Sequence, residues 1–404
     1  MGKKKLLVLA STYPRWALDT EPAFVEKLSQ QLSEKYEVHV LAPHYKGACR
    51  SEILNGIQVY RYRYGPAAWQ KLAYEGGILE NLKRLPFLFF IIPLFLMGQL
   101  LAIRQLHKEN SYDALHAHWI IPQGIIAVLH KVLFDKRLPI LITSHGGDLF
   151  ALNGRLMKKL KSWVLSRSSH ITVVSKVMKA HVVGLGIDPA KVSVRSMGVE
   201  LCNSFTIKEG LFRDPKLLVY VGRLVEKKGV EYLINAFRDV RLIYPDVKLK
   251  IIGAGPLSAS LTALTTTLNI DDSVEFVGSV NNSEIPSLLN KASIAVVPSI
   301  IAESGDQEGL GLVIIEALGC GCSVIASDLP AIRDVITHGE TGLLVSPADS
   351  GALASTIVSA LEDPDRMIGL AARGRSRVSE NFDWKSVGLA YSKLIGQIIN
   401  DAKK

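Results

Sequence analysis

The sequence has few cysteines, and their spacing provides neither a disulfide framework nor a complete zinc site. The four cysteines are Cys49, Cys202, Cys320 and Cys322, and only the last two lie close together. The amino-terminal run MGKKKLLVLAS is too short for the apolar core of a signal peptide and predicts a first β-strand. We therefore expect a reduced, cytoplasmic protein that is not exported.

The sequence also lacks a recognised nucleic-acid-binding motif and any basic-aromatic ladder, although it is basic overall. Its formal net charge is +9, and residues 1–200 contain 27 Lys and Arg against 14 Asp and Glu. The remaining residues have 20 basic against 24 acidic side chains. The basic half is expected to face an anionic membrane surface or a phosphorylated acceptor, and no nucleic acid.

The length and composition predict two folded domains. A chain of 404 residues with 48% hydrophobic and 21% charged residues exceeds one ordinary core. Apolar strand patterns alternate with helical patterns, and this alternation restarts after a polar segment at residues 201–215. We expect an α/β protein with a doubly wound, Rossmann-like domain at 1–200, a hinge at 201–215 and a second such domain at 216–383.

The segment from Glu308 to Pro330, EGLGLVIIEALGCGCSVIASDLP, predicts a loop, a helix and a buried strand. Glu308 and Glu316 are eight positions apart, which would place both acids on one side of a helix. Gly309, Leu310 and Gly311 fall at its start, where unpaired N–H groups suit a phosphate. An ordinary amphipathic helix with two solvated acids has the same spacing.

Cations follow the first strand of the second half. Arg223 and Lys228 lie between a predicted strand and a helix, beside flexible glycines, and such a pair can bind a diphosphate. Solvated surface charge is the alternative. The later Gly253-Ala254-Gly255 sequence is weak evidence for a dinucleotide site.

Histidines cluster at the ends of two predicted strands in the first half. His116 and His118 precede Trp119, and His145 begins the sequence His-Gly-Gly-Asp that ends at Asp148. Ligands bind at the carboxyl ends of parallel strands, so we expect at least one of these histidines to be functional.

Two further stretches in the first half are apolar or basic. Residues 85–103 carry no formal charge, have basic flanks and are interrupted by two prolines. They are long enough for a membrane span, and they also fit a helix in the membrane interface or a wholly buried helix. The basic residues Arg155, Lys158, Lys159 and Lys161 are interpreted as a solvated helix face.

These motifs together resemble the retaining, nucleotide-sugar-dependent glycosyltransferases of family 4. The resemblance is carried by the two glutamates, by SVIASDLPAIRDVITHGETGLLV after them, and by H-x-H followed by T-x-H-G-x-D in the first half. It implies a GT-B fold, with the two Rossmann-like domains facing each other across a cleft. It also implies that the last helix, about residues 384–404, packs back on the amino-terminal domain.

The resemblance also implies roles for the motif residues. Arg223, Lys228 and the N–H groups of Gly309, Leu310 and Gly311 would bind the donor diphosphate. Glu316 would bind the ribose, the loop at Gly278 the base, and Glu308 the hydroxyls of the donor sugar. His145 would lie beside the transferred sugar, and the acceptor-side residues would be His118, Trp119, Asp148 and Arg15.

The implied reaction is transfer of a hexose, with retention, from a UDP- or GDP-sugar to a lipid-linked or glycan acceptor at the cytosolic membrane face. It serves polysaccharide or glycolipid synthesis and uses no cofactor. A metal is not expected to be required, because the cations serve the phosphates. The sugar, the base, the acceptor and the oligomeric state remain open.

One departure from the family pattern, one glycine pair with two interpretations and three rival functions complete the predictions. The first loop has Arg15-Trp16-Ala17-Leu18-Asp19-Thr20 where many family members have a glycine pair, and Gly76-Gly77 fits either an acceptor loop or a plain turn. The rivals are a GT-B-like sugar-nucleotide epimerase or hydrolase, a hydrolase with a metal on His116, His118, His145 and Asp148, and a non-catalytic membrane-binding module.

Overall fold

Parallel strands alternate with helices along the chain in a computed structural model that describes residues 2–17, 19, 21–150 and 154–403. The chain divides into two compact units. The first comprises Met1–Gly198 together with Trp384–Lys404, and the second comprises Val199–Asp383. Residues 201–215 fall inside the second unit, and a hinge there stays a prediction.

The first unit is built on an eight-stranded sheet in the order β3-β4-β2-β1-β5-β6-β7-β8. All neighbouring strands are parallel except β3 and β4. The strands are β1 (Lys4–Leu9), β2 (Tyr36–Pro43), β3 (Ser51–Leu54), β4 (Ile57–Tyr62), β5 (Ala114–His118), β6 (Ile140–Ser144), β7 (His170–Val173) and β8 (Val192–Val194). The central strands are buried on both faces, which explains why they are continuous apolar runs.

Helices of the first unit are also formed by the described residues before Gly198. They are α1 (Phe24–Ser33), α2 (Ile78–Arg84), α3 (Ile92–Asn110), α4 (Ile125–Phe134), α5 (Gly147–Phe150), α6 (Arg155–Arg167) and α7 (Lys176–Gly184). The predicted apolar face of α1 is confirmed, because Val25, Leu28 and Leu32 are buried. The solvated face predicted on α6 is wrong for Lys161, which is 1% exposed and donates from Nζ to the Leu149 carbonyl at 2.7 Å.

The second unit has a six-stranded sheet whose described strands are all parallel, in the order β11-β10-β9-β12-β13-β14. This is the strand order of a Rossmann-type sheet, and its order reverses between β9 and β12. The strands are β9 (Asp214–Val221), β10 (Lys248–Ile252), β11 (Val274–Gly278), β12 (Ala292–Val297), β13 (Ser323–Ser327) and β14 (Leu343–Val345).

The helices of the second unit cover this sheet. They are α8 (Val230–Ile243), α9 (Ser258–Thr267), α10 (Ile285–Lys291), α11 (Leu312–Gly319), α12 (Ser350–Glu362) and α13 (Pro364–Phe382). The predicted face of α8 is confirmed, because Val230, Leu233, Ile234, Phe237 and Val240 are all buried. The single helix predicted to carry both glutamates is wrong. Glu308 lies in the loop before α11, and Glu316 alone is on the helix.

The apolar segment 85–103 forms a short 3₁₀ helix and the first part of helix α3 in the first unit. Pro86–Ile91 is a 3₁₀ turn that leads into α3, and Pro86–Asn110 is long and apolar enough, by length and composition, to cross a membrane. One face is buried, with Phe95 packed against Tyr62 and Tyr64. The other face is exposed, so the wholly buried alternative is wrong: Phe87, Phe89, Phe90, Leu94, Met97 and Leu101 are each 45–86% exposed.

The last helix, α14 (Trp384–Asp401), belongs to the first unit and packs on α1. Gly388 makes the close approach possible, because a Cβ there would lie 2.5 Å from the Gln31 Cβ. The Tyr36 hydroxyl donates to the Ser392 carbonyl at 2.8 Å. The helix therefore completes the wall of the first sheet. With two such sheets the chain has the predicted GT-B fold.

Candidate active site

Each unit carries one group of the predicted functional side chains, and each group lies at the carboxyl ends of its parallel strands. In the second unit, β9 ends at Val221 and is followed by Arg223, while β12 ends at Val297 and leads to Glu308. The strand order reverses between these two strands, which is where doubly wound sheets bind ligands.

Lys228 and Glu308 form an ion pair in this group, with side chains that are only 18% and 14% exposed. Lys228 ends a short 3₁₀ helix and Glu308 comes from the loop before α11, so residues 80 positions apart are joined. Partial burial strengthens the Coulomb attraction between the two groups, and it leaves a buried charge if one partner is lost. Any anionic ligand of Lys228 would therefore compete with Glu308 for the ammonium group.

Glu316 lies on α11, and its side chain is partly buried. Its carboxylate has no hydrogen-bond partner within the described residues. Burial raises its pKa from an ordinary 4.5 to about 7, and the nearby Lys228 partly offsets the increase. A carboxyl that lacks an internal partner is suited to bind hydroxyl groups of a ligand.

Unpaired donors accompany these acids. The guanidinium of Arg223 is exposed and has no partner among the described residues. The backbone N–H groups of Gly309, Leu310 and Gly311 likewise donate no hydrogen bond in that part of the chain. Gly311 has a φ of 81° and caps α11, so these groups lie at the positive end of the helix. Together the cation and the amides suit a diphosphate.

The loop that carries these cations is held in place by contacts that the sequence pattern did not indicate. Lys227 pairs with Asp306 at 3.0 Å, and Glu226 accepts the Glu303 N–H at 2.7 Å. The buried Tyr220 hydroxyl donates to the Arg223 carbonyl at 2.9 Å. The first two contacts join residues that are nearly 80 positions apart, so no spacing rule predicts them and only the fold reveals them.

Two glycines in this region permit close approach of backbone segments. Gly229 has a φ of 61°, and a Cβ on it would lie 2.0 Å from the Pro298 carbonyl oxygen. At Gly253 a Cβ would lie 1.9 Å from the Gly222 carbonyl oxygen. Gly253 also donates its N–H to the Gly278 carbonyl at 2.9 Å. The glycines therefore bring the exits of β9, β10 and β11 together, which a dinucleotide motif would not have predicted.

In the first unit, three imidazoles stack behind the ends of β5 and β6. His118 and His145 are parallel, with ring centroids 5.2 Å apart and a hydrogen bond of 3.0 Å between Nδ1 and Nε2. The His116 ring lies 4.3 Å from that of His118, and its Nε2 is 2.8 Å from the Thr143 hydroxyl. The chain of contacts continues from Thr143 to the Thr172 hydroxyl at 2.6 Å.

Burial keeps these imidazoles neutral at physiological pH. It lowers the pKa of both His116 and His145 to about 3, and it lowers that of His118 well below its usual range. The group therefore offers neutral hydrogen-bonding nitrogens and not positive charge.

Asp148 holds the backbone around the imidazoles. It accepts the Ile120 N–H at 2.6 Å and the Ser144 hydroxyl at 2.8 Å. Trp119, which has a φ of 74°, lies with its ring 5.1 Å from that of His145. Within the described residues, no group of three or more His, Cys, Asp and Glu is arranged to hold a metal ion. The metal hydrolase alternative thus has no ligand set there.

Arg15 lies in the same unit and is already paired. Its guanidinium forms two hydrogen bonds, of 2.7 and 2.8 Å, to Asp19. It lies 4.7, 4.5 and 5.6 Å from the ring centroids of Trp16, Tyr45 and Tyr74. Leu18 and Thr20, which complete the loop without the glycine pair, lie outside the described residues.

Family models match both halves of the chain. The model described as Glycosyltransferase Family 4 matches residues 23–202, and the model described as Glycosyl transferases group 1 matches residues 204–377. The chain belongs to the group 1 glycosyltransferases. The family predicted from the sequence motifs is confirmed. This glycosyltransferase is an enzyme of glycan or glycolipid synthesis.

The glycosyltransferase is similar to several known proteins at low sequence identity. Glycogen synthase of Mycobacterium tuberculosis is 27% identical over 73% of this chain and 71% of its own. The GDP-mannose-dependent alpha-(1-6)-phosphatidylinositol monomannoside mannosyltransferase of Mycolicibacterium smegmatis is 30% identical over 45% of this chain and 48% of its own. Among solved structures, Anabaena HepE in complex with UDP has a TM-score of 0.72 at 17% identity, covering 97% of this chain and 100% of its own. That likeness shows the fold.

Proposed function

We propose that this glycosyltransferase transfers a hexose, with retention, from a nucleoside diphosphate sugar to a lipid-linked or glycan acceptor at the cytosolic membrane surface. The observation that carries the proposal is the group formed by Lys228, Glu308 and Glu316 at the switch point of the second sheet, where Arg223 follows strand β9. The two cations and the free backbone amides suit the diphosphate of a nucleotide sugar, and the carboxyl without a partner suits its ribose hydroxyls.

The donor diphosphate takes the cations and the amides. Arg223, Lys228 and the N–H groups of Gly309 to Gly311 stabilise the charge that develops on the leaving diphosphate. Binding at Lys228 frees the Glu308 carboxylate from its ion pair, and Glu308 then accepts hydrogen bonds from the donor sugar. Glu316 accepts the ribose hydroxyls, and the loop at Gly278 receives the base.

The histidine group serves the transferred sugar and the acceptor. His145, neutral and fixed by His118, provides a hydrogen-bonding nitrogen to the sugar. Asp148 and Trp119 position it, and Arg15 contributes to the acceptor side. No residue in either group is assigned as a covalent nucleophile, and the leaving phosphate takes the acceptor proton.

The acceptor proposal is supported by the exposed apolar face at Phe87–Leu101 and by the excess of basic residues in the first half. The buried face of α3 packs on the sheet, which favours insertion into the membrane interface over a span. The M. smegmatis relative is named for a phosphatidylinositol monomannoside, which is a lipid-linked acceptor.

The first experiment is a thermal-shift screen of UDP, GDP, ADP and their common sugars. We expect one nucleotide to stabilise the wild type, by about 2.7 kcal/mol at a hundredfold excess over Kd, and to stabilise Glu316→Ala much less. Glu362→Ala, at an exposed position in the same unit, is the matched control. HepE was solved with UDP, and the M. smegmatis relative is named for GDP-mannose, so both bases are included. No shift with any nucleotide would refute the donor site.

Two assays test the chemistry. The product is expected to keep the anomeric configuration of the donor, as measured by the proton coupling at C1 in NMR, and an inverted product would refute retention. Activity is expected to survive EDTA, and a complete loss that Mg²⁺ or Mn²⁺ restores would overturn the metal-free proposal.

The membrane proposal is tested with anionic liposomes. Phe90 is 86% exposed, so Phe90→Asp should leave the fold intact and weaken sedimentation with the liposomes. Leu242→Asp, at a position that is 79% exposed in the second unit, is the matched control and should bind as the wild type does. Equal binding by all three proteins would refute a role for this face.

A further inference from the structure

A cavity of about 670 Å³ lies in the first unit, at the amino ends of β6 and β7. Its walls come from the end of α4, from the loop before β6, from the start of β7 and from the last two turns of α14. The titratable residues of its lining are Lys131, Lys136, Arg137, His170 and Asp401. This volume is typical of sites for small-molecule ligands.

The cavity lies at the opposite end of the sheet from the histidine group. Arg137 precedes β6 and His145 follows it, so the five residues of the strand separate them by roughly 17 Å along the sheet. The residues assigned above to donor and acceptor binding all lie at or after the carboxyl ends of strands. The cavity is therefore a second site and not an extension of the first.

Cations dominate the lining. Lys131, Lys136 and Arg137 line the cavity together with one acid, Asp401, and none of the three forms an ion pair with an acid within the described residues. Lys131 is half-buried, and its pKa is lowered first by burial and then by the nearby Lys191, while Asp135 partly offsets this lowering. Cations kept together without partners carry a repulsive cost that a bound anion would relieve.

The chemistry of the lining selects a phosphate. Arg137 offers the planar fork that binds two phosphate oxygens, and the two lysines offer mobile point charges. The adjoining Val132, Leu133 and Phe134 on α4 are 43–60% exposed, so an apolar surface continues from the basic one. A phosphate on a membrane lipid and a phosphate on a soluble metabolite are both compatible with this arrangement.

We propose that this cavity binds the phosphate group of a ligand other than the sugar donor. The inference does not depend on the donor site proposed above. It assigns Lys131, Lys136 and Arg137 as the groups that bind the phosphate oxygens.

The test uses the full chain and two phosphate sources. Glycerol 3-phosphate is titrated calorimetrically as the soluble probe, and sedimentation with vesicles of phosphatidylglycerol in phosphatidylcholine is the lipid arm. The test variant is Lys136→Gln/Arg137→Gln, at two exposed positions. Lys158→Gln/Lys159→Gln removes the same charge from the exposed face of α6 and is the control. Arg223→Gln separates the cavity from the donor site.

Binding about tenfold or more weaker in the test variant, with the control variant unchanged, is expected in at least one arm. A response to the soluble probe identifies a free phosphate as the ligand, and a response confined to vesicles identifies a lipid headgroup. Binding that Arg223→Gln abolishes and the test variant keeps would overturn the inference. Equal losses in the test and control variants, or no binding in either arm, would overturn it as well.

Discussion

Replacing Glu316 by glutamine should stabilise the second unit above neutral pH. The folded-state pKa of this carboxyl is about 7 against an ordinary 4.5, because burial penalises its charged form. A carboxyl whose pKa is raised on folding favours the folded state below its unfolded pKa. That contribution is lost as the pH rises towards the folded pKa.

The difference between the two pKa values corresponds to about 3 kcal/mol. Near pH 5 the folded wild type holds a neutral carboxyl, so Glu316→Gln and the wild type should differ little. At about pH 8.5 the wild type has a buried charge that the glutamine lacks. The variant should then unfold at a midpoint roughly 6 to 12 °C higher for a unit of this size.

The assay is thermal unfolding followed by circular dichroism at about pH 5, 7 and 8.5. Glu362→Gln is the matched control, because this glutamate is exposed at the end of α12, and it should stay within about 0.5 kcal/mol of the wild type throughout. A stability difference between Glu316→Gln and the wild type that does not grow with pH would refute the assignment of a buried, poorly solvated carboxyl.

Three further outcomes are expected. Arg223→Ala should lower kcat/KM by about a hundredfold or more with little change in melting temperature, because its exposed guanidinium has no partner in the described part of the chain; steady-state kinetics with unchanged turnover would contradict this. Lys161→Met should lower the free energy of unfolding in urea by about 1 to 3 kcal/mol, because the buried Leu149 carbonyl loses its donor. Lys159→Met should change it by almost nothing, and equal effects of the two substitutions would be inconsistent with the buried contact. Gly229→Ala should destabilise the second unit by at least about 2 kcal/mol, since its Cβ would lie 2.0 Å from a carbonyl oxygen, and a melting temperature equal to the wild type would show that the loop can move aside.

The sequence was sufficient for the fold class because buried parallel strands leave continuous apolar runs and helices leave a periodic face. It was sufficient for the family because the motifs keep their order. The prediction placed Glu308 on the helix because spacing cannot show where a helix begins. In the structure α11 begins after Gly311, whose φ is 81°, so Glu308 lies in the preceding loop. The pattern of α6 likewise could not show that Lys161 turns inward to a carbonyl.

Other features carried signals that the predictions did not use. Asn55 and Gly56, with φ angles of 48° and 82°, form the tight turn between β3 and β4. An Asn-Gly pair between apolar runs is a hairpin signal, and β3 was nevertheless absent from the predictions. The ion pair between Lys228 and Glu308 had no local signal, because its two residues come from separate strand exits. Long-range pairs of this kind require the strand order.

The position of α14 has a consequence for synthesis of the protein. A ribosome completes Val199–Asp383 before it makes the helix that the first unit needs. Until then the surface around Gln31 and Tyr36 is uncovered. The series of hydrogen bonds from His116 through Thr143 to Thr172 also lacks its last member, Tyr391, whose hydroxyl lies 3.4 Å from the Thr172 hydroxyl. The unit whose translation begins first is therefore completed last. A nascent chain that is paused before Trp384 should expose to chaperones the apolar surface that α14 covers in the folded protein.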